Sequence, residues 1–129
     1  MSTFVGYKSV GFVSNHLPLQ LRYIRPRGGY LVVTCVGNTI HTYTGENFRL
    51  LTVGRPLDDE ILCMAADAYH VYTGVGKKIY AWRRGTEIEA VYEGHVANLI
   101  GLMPFGPHLI AADESGAVKV WDIKAKSEY

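Results

Sequence analysis

Cysteine is scarce in this chain of 129 residues, and that limits its chemistry. It has two, Cys35 and Cys63, and five histidines. No CxxC or HxxxH pair occurs among them, so no metal site is expected at zinc-ligand spacing. Both cysteines lie in strand-like runs with no secretory signal ahead of them, so buried thiols are expected rather than a disulfide. The first twenty residues lack the basic start and continuous apolar stretch of a signal peptide. No apolar run reaches the ~18 residues that span a bilayer. The chain therefore reads as soluble and intracellular, without a membrane partner. Charge of one sign is lacking too: 13 Lys and Arg face 12 Asp and Glu, giving a net charge of +1 and a pI near 7.8. That is below the value of about 9 that marks a nucleic-acid-binding domain. GxSxG, HExxH and P-loop motifs are missing, so neither catalytic residues nor a cofactor are expected. Asp58-Asp59-Glu60 lacks the spacing of an EF-hand and reads as a solvated connector. No pattern of helical length appears, and no low-complexity tract or charge block.

What is present is organised around residues 93–123. Gly94-His95 opens this stretch and Trp121-Asp122 closes it. Between them run three apolar segments. The first is 99–103, the second is Leu109 to Ala112, and the third alternates Val118 and Val120 against Lys119. Pro104-Phe105-Gly106-Pro107 and Glu114-Ser115-Gly116 turn the chain between them. A GH dipeptide followed by strands and a closing WD is the layout of one WD-repeat unit, four short strands forming a propeller blade. In such blades the GH histidine, a hydroxyl, a turn aspartate and the WD tryptophan bond to one another. The aspartate usually stands six residues before the tryptophan, a place held here by Ser115. With Asp113 two residues earlier, the polar set reads as incomplete, and the blade is expected to depend more on apolar packing.

The unit recurs. Trp121, Trp82 and Tyr43 follow at steps of 39, and in the same register fall Ile40, Ile79 and Val118; Val32, Val71 and Ile110; Gly37, Gly76 and Ser115. Thr34 and Thr73 match, with Ala112 in the third copy. A period near 40 built from four strands' worth of alternation is the propeller period. The fold expected is all-β: a WD40-type β-propeller segment of about three four-stranded blades, not a closed propeller, since closure takes about 4–8 blades. Residues 1–16 form an N-terminal strand or tail, in which Val10, Phe12 and Ser14 share one face and His16 stands near a GH position. Residues 17–129 carry the repeats. The last is expected to be incomplete, because the chain stops where a fourth strand should follow. The initial Met favours the start of a longer protein. Unclosed sides predict poor autonomous folding.

The residues expected to hold the blades are His95, Trp121, Asp122, Trp82 and Tyr43. In the second copy Arg55-Pro56 stands where GH would be. Two groups of cations are candidates for contact with RNA phosphates or acidic protein segments. One is Arg22, Arg25 and Arg27; the other is Lys77 and Lys78 with Arg83 and Arg84. Their plain alternative is solvation of hairpin turns.

Four segments are more specific than the GH and WD dipeptides. They are 11–19 (GFVSNHLPL), 34–43 (TCVG with HTY), 63–67 (CMAAD), and Gly94-His95 followed by Pro104-Phe105-Gly106. Together they resemble the WD-repeat protein thirty-six family, the tandem-propeller UTP-B subunit of the small-subunit processome. The resemblance runs from about residue 7 to 129 and covers the family's opening blades only. It implies a nucleolar scaffold without catalysis, acting in early pre-rRNA cleavages toward 18S rRNA. The partners it implies are other propeller subunits of UTP-B, pre-rRNA and U3 small nucleolar RNA. The repeat alone supports a second reading, a general WD-repeat adaptor for a ubiquitin-ligase or signalling complex. Partner identification by pull-down separates the two.

Overall fold

The structure is a computed structural model that describes Gly6, residues 17–24 and residues 29–129. The expected N-terminal strand and His16 lie outside those residues. Twelve strands occur among the described residues, and no helix. The first sheet holds β1 (Gln20–Ile24), β2 (Gly29–Val36), β3 (Thr39–Thr44) and β4 (Leu50–Val53). The second holds β5 (Cys63–Ala66), β6 (His70–Val75), β7 (Lys78–Arg83) and β8 (Glu87–Glu93). The third holds β9 (Leu99–Phe105), β10 (His108–Asp113), β11 (Val118–Asp122) and the two-residue β12 (Ser127–Glu128). Each sheet is antiparallel, with its strands in chain order. Three such sheets that do not close on themselves are an open piece of a β-propeller, as the period of 39 predicts.

Alternation along the strands decides which sheet face meets which neighbour. In the second sheet Met64, Val71, Val75 and Trp82 point back to the first, packing with Val33, Cys35 and Ile40. Leu57 and Ile61 of the connecting loop join this core. The other face of the second sheet presents Cys63, Tyr72, Ile79 and Ala81 to Leu99, Leu109, Ala111 and Trp121 of the third. The middle sheet is therefore buried on both faces, and each outer sheet meets it with one face. Cys35 and Cys63 remain thiols in separate cores, and burial pushes Cys63 up to about 11.

Register exposes one difference among the copies. Val32 pairs with Tyr43, and Val71 with Trp82, one step of 39 apart. In the third sheet Leu109, not Ile110, pairs with Trp121. The physical reason is the hairpin. Gly37-Asn38 and Gly76-Lys77 are two-residue turns whose glycine has positive φ at the first central place, the type II′ arrangement. The third copy has a three-residue loop, Glu114-Ser115-Gly116, closed by the Asp113 N–H donating to the Ala117 carbonyl. One added residue slips β10 by one place. The alignments of Ile110 with Val71 and of Ala112 with Thr73 are corrected to Leu109 and Ala111.

Because strands alternate in direction, the loops divide between two rims. One carries the β2–β3, β6–β7 and β10–β11 hairpins and the connectors between sheets. The Leu99 N–H donates to the Gly76 carbonyl there, and the Glu114 N–H to the Asn98 carbonyl. The opposite rim carries the remaining hairpins, including Asp67-Ala68-Tyr69 and Arg84-Gly85.

Candidate functional site

The aromatic at the end of the third strand of each blade occupies an equivalent slot, and each slot is tied differently. In the third blade the Trp121 indole N–H donates to His95 Nε2 at 3.3 Å. His95 Nε2 must then be the unprotonated nitrogen, and Nδ1–H donates to Asp113 Oδ2 at 2.8 Å. The other carboxylate oxygen of Asp113 accepts from the Ser115 N–H at 2.9 Å, the Ser115 hydroxyl and the Ala117 N–H. Both the His95 and Asp113 side chains are fully buried. The Ser115 hydroxyl first, and then the His95 N–H, hold the Asp113 carboxyl at about 2, below its ordinary 3.8. The polar set expected to be incomplete is thus complete. Asp113 takes the aspartate's role, because the register shift between Ala112 and Asp113 sets it at the base of the turn. Gly94 is the residue the slot requires before the histidine, since a Cβ there would meet the Trp121 ring at 3.0 Å. Asp122 stays out of the network and accepts from the Ala125 N–H at 2.9 Å, shaping the turn toward β12.

In the second blade the Trp82 indole N–H donates to the Thr73 hydroxyl at 2.9 Å across β6–β7, and both residues are buried. In the first blade Tyr43 fills the slot, and it has no ring N–H to offer. Thr34, placed as Thr73 is, has a buried hydroxyl with no hydrogen-bond partner among the described residues.

The candidate contact residues separate. Arg22 is 5 % exposed and lies inside the first junction. Its guanidinium donates to the carbonyls of Asp67 at 2.9 Å and Ala68 at 3.2 Å, pinning β1 to the β5–β6 turn. Burial lowers its pKa, and the nearby Asp67 opposes that. A guanidinium held this way is not displayed to a phosphate, which removes Arg22 from the contact set. Arg25 and Arg27 lie outside the described residues. Lys77 and Lys78 do not form one group with Arg83 and Arg84, because β7 separates them. At ~3.3 Å per residue the two pairs sit on opposite rims of the second blade. Lys78 meets Glu93 at 3.2 Å, which raises its pKa, with Asp58 adding to the effect. Arg83 and Arg84 are exposed, with Lys124 and Lys126 on the same rim. Arg83 and Lys126 both act on Glu89, whose pKa is lowered first by its bond to His70.

No local pattern marks Arg22 as a clamp, since arginines beside a turn ordinarily face water. Lys124 and Lys126, a short pair after the last tryptophan, carry too little charge in sequence to stand out as a basic cluster. Among the described residues no group of three or more His, Cys, Asp or Glu is placed to hold a metal ion. No helix among them is long and apolar enough to cross a membrane.

Comparison with known proteins decides the family. Residues 32–129 match the family model described as WDR36/Utp21 first beta-propeller. The chain belongs to this family. It is 35% identical over 126 residues to WD repeat-containing protein 36 of Homo sapiens. It is 38% identical over 128 residues to U3 small nucleolar RNA-associated protein 21 homolog of Schizosaccharomyces pombe. Each alignment covers 98% of this chain and 14% of the relative. U3 small nucleolar RNA-associated protein 21 of Saccharomyces cerevisiae is 26% identical over 92% of the chain, and the chain covers 12% of it. The chain thus spans about a seventh of the length of the relatives it matches.

Proposed function

We propose that the chain is a non-catalytic scaffold segment acting in small-subunit ribosome biogenesis, in pre-rRNA processing toward 18S rRNA. The observation that carries this reading is membership of the WDR36/Utp21 first-propeller family, in which relatives aligned over nearly the whole chain are named for association with U3 small nucleolar RNA. Its partners are other propeller subunits of the UTP-B complex, together with U3 RNA and pre-rRNA. Its place is the nucleolus. WD blades suit this work because rigid sheets hold their rim loops at fixed spacing for several partners at once.

Where RNA is touched directly, Arg83 and Arg84 are the favoured contacts, with Lys124 and Lys126 beside them. Lys77 and Lys78 contribute less, because Glu93 and Asp58 already compensate Lys78. The test is crosslinking of the protein in cells, followed by sequencing of bound RNA and mass spectrometry of co-purified proteins. U3 RNA, 5′ pre-rRNA and other propeller subunits are expected. Recovery of unrelated complexes without pre-rRNA would overturn the reading and favour the general WD-repeat adaptor.

A further inference from the structure

The two blade junctions inside the chain differ at one place. In the first, Thr42 and Thr52 are a cross-strand pair facing the second blade. Their hydroxyls close on Gly85, where a Cβ would meet them at 2.9 and 2.8 Å. In the second junction Ala81 stands one step of 39 after Thr42, and it pairs with Ala90 as Thr42 pairs with Thr52. Lys124 stands one step after Gly85, on a turn one residue longer, since Asp122 pairs with Ser127 but Arg83 with Glu87. Two alanines in place of two threonines, facing the longer turn, leave a cavity of about 250 Å³ between the blades. That is smaller than the ~300–1,000 Å³ of sites for drug-sized ligands, and it suits a single ring system.

The walls of this cavity are polar where the floor is not. On the second blade, His70 Nε2–H donates to Glu89 Oε2, which fixes the carboxylate. A carboxylate accepts through about four lone-pair sites, so Glu89 keeps room for further donors. The Tyr92 hydroxyl donates to the Ile123 carbonyl at 3.4 Å and ties the two walls together. On the third blade, Lys124 and Lys126 line the cavity and are exposed. Their turn is fixed by the Lys126 N–H donating to the Asp122 carbonyl at 2.8 Å and the Ala125 N–H to Asp122 Oδ1 at 2.9 Å. The exposed Arg83 acts on Glu89 as Lys126 does, so cations outnumber this carboxylate around the opening.

We propose that this cavity takes one unpaired guanine nucleotide of a single-stranded RNA, with the base edge on Glu89 and the phosphate on Lys124 and Lys126. The proposal rests on the direct RNA contact proposed above and names its base and its pocket. An unstacked base is read along its Watson–Crick edge. Guanine sets two donors side by side there, N1–H and the N2 amino group, and both can reach one carboxylate. Adenine, cytosine and uracil each set an acceptor beside the donor, and an acceptor repels a carboxylate. An arginine from a partner protein would offer the same two donors. The ammonium groups of Lys124 and Lys126 repel that cation, whereas they attract a phosphate.

Fluorescence anisotropy of the full chain with labelled six-nucleotide RNAs tests it. Each RNA carries one guanosine, adenosine, cytidine or uridine among five uridines. The guanosine RNA should bind about tenfold more tightly than the other three. Glu89→Gln should remove that preference and leave the other three affinities unchanged. Ala90→Thr, which copies Thr52 of the first blade, should remove it by filling the cavity. Lys124→Ala and Lys126→Ala should weaken all four RNAs alike, each lowering the salt slope by about 0.7. Lys77→Ala, on the opposite rim, should change no preference. Far-UV spectra matching the parent show that a lost preference is not lost folding. Peptide mapping of RNA crosslinks formed in cells is a second measurement, with guanosine expected on residues 87–93 or 124–126. Equal affinity for the four RNAs, or a preference that survives Glu89→Gln, would overturn the proposal. Crosslinks from those residues to protein alone would overturn it in favour of a partner's side chain. Failure of the scaffold reading is separate, because it shows as the absence of U3 RNA and pre-rRNA from the cellular crosslinks whatever the base preference.

Discussion

The first and third blades solve the same local problem with different chemistry. Both place an aromatic at the end of the third strand, and both must fix it beside the next connector. The third blade does so with a chain of four groups, in which Trp121, His95 and Asp113 are buried and Ser115 is the exposed end. In the first, Tyr43 is buried in the slot, and the Thr34 hydroxyl has no hydrogen-bond partner among the described residues. The second lies between, with one bond from Trp82 to Thr73. The slot is thus a packing position first, and the polar tether is a local addition to it. What the tether adds is definition of a connector: His95 sits in the loop between the second and third blades, so bonding it to Trp121 and Asp113 fixes that rim.

Five substitutions sharpen the comparison. Trp82→Ala should have the largest effect, because the fully buried ring lies in the first junction. A loss of about 3–5 kcal/mol is expected, seen as a fall in the urea midpoint. An unchanged midpoint would mean the slot is not the packing centre. His95→Ala follows, leaving the Trp121 N–H and the Asp113 carboxylate buried without their partner, at a cost of about 1–3 kcal/mol.

The same tether should be visible in acid. The Asp113 carboxyl is held at about 2 against an ordinary 3.8, so its ionised form stabilises the folded chain. That contribution is whole above pH 3.8 and is lost as pH falls through 3.8 toward 2. Urea midpoints measured across this window should decline less steeply in Asp113→Asn than in the parent. Parallel profiles would show that another carboxyl governs the decline.

Arg22→Met keeps the apolar stem and removes two bonds to carbonyls, with about 1–2 kcal/mol lost in thermal unfolding. RNA crosslinking per folded molecule should not change, whereas a contact residue would lower it. Tyr43→Trp is the smallest effect and the only gain. It offers Thr34 an indole N–H and should stabilise the chain by about 0.5–1 kcal/mol, read as a raised melting midpoint. A loss would mean the first slot cannot admit the larger ring.

The blade pattern was legible because it rests on two strong periodicities. Alternation marks each strand, and the step of 39 aligns Tyr43, Trp82 and Trp121. The slip of β10 was not legible, because Ile110 and Leu109 are both aliphatic and either satisfies an apolar pattern. Only the three-residue turn at 114–116 distinguishes them. The role of Asp113 was hidden for the same reason, since the count back from Trp121 assumed the ordinary turn. Arg22 shows a different limit. Its value lies in meeting the Asp67 and Ala68 carbonyls some 45 residues away, and no local pattern announces such a contact. The division of Lys77-Lys78 from Arg83-Arg84 was readable in principle, because an intervening strand sends its two ends to opposite rims.

The most direct test uses the fact that the chain has two tryptophans. Indole N–H exchange followed by NMR reads the second and third slots separately. Both signals should be strongly protected in the parent. His95→Ala should release Trp121 while leaving Trp82 protected, and Thr73→Val should do the reverse. Fast exchange of Trp121 in the parent, or equal release of both indoles by His95→Ala, would contradict an independent tether in each blade.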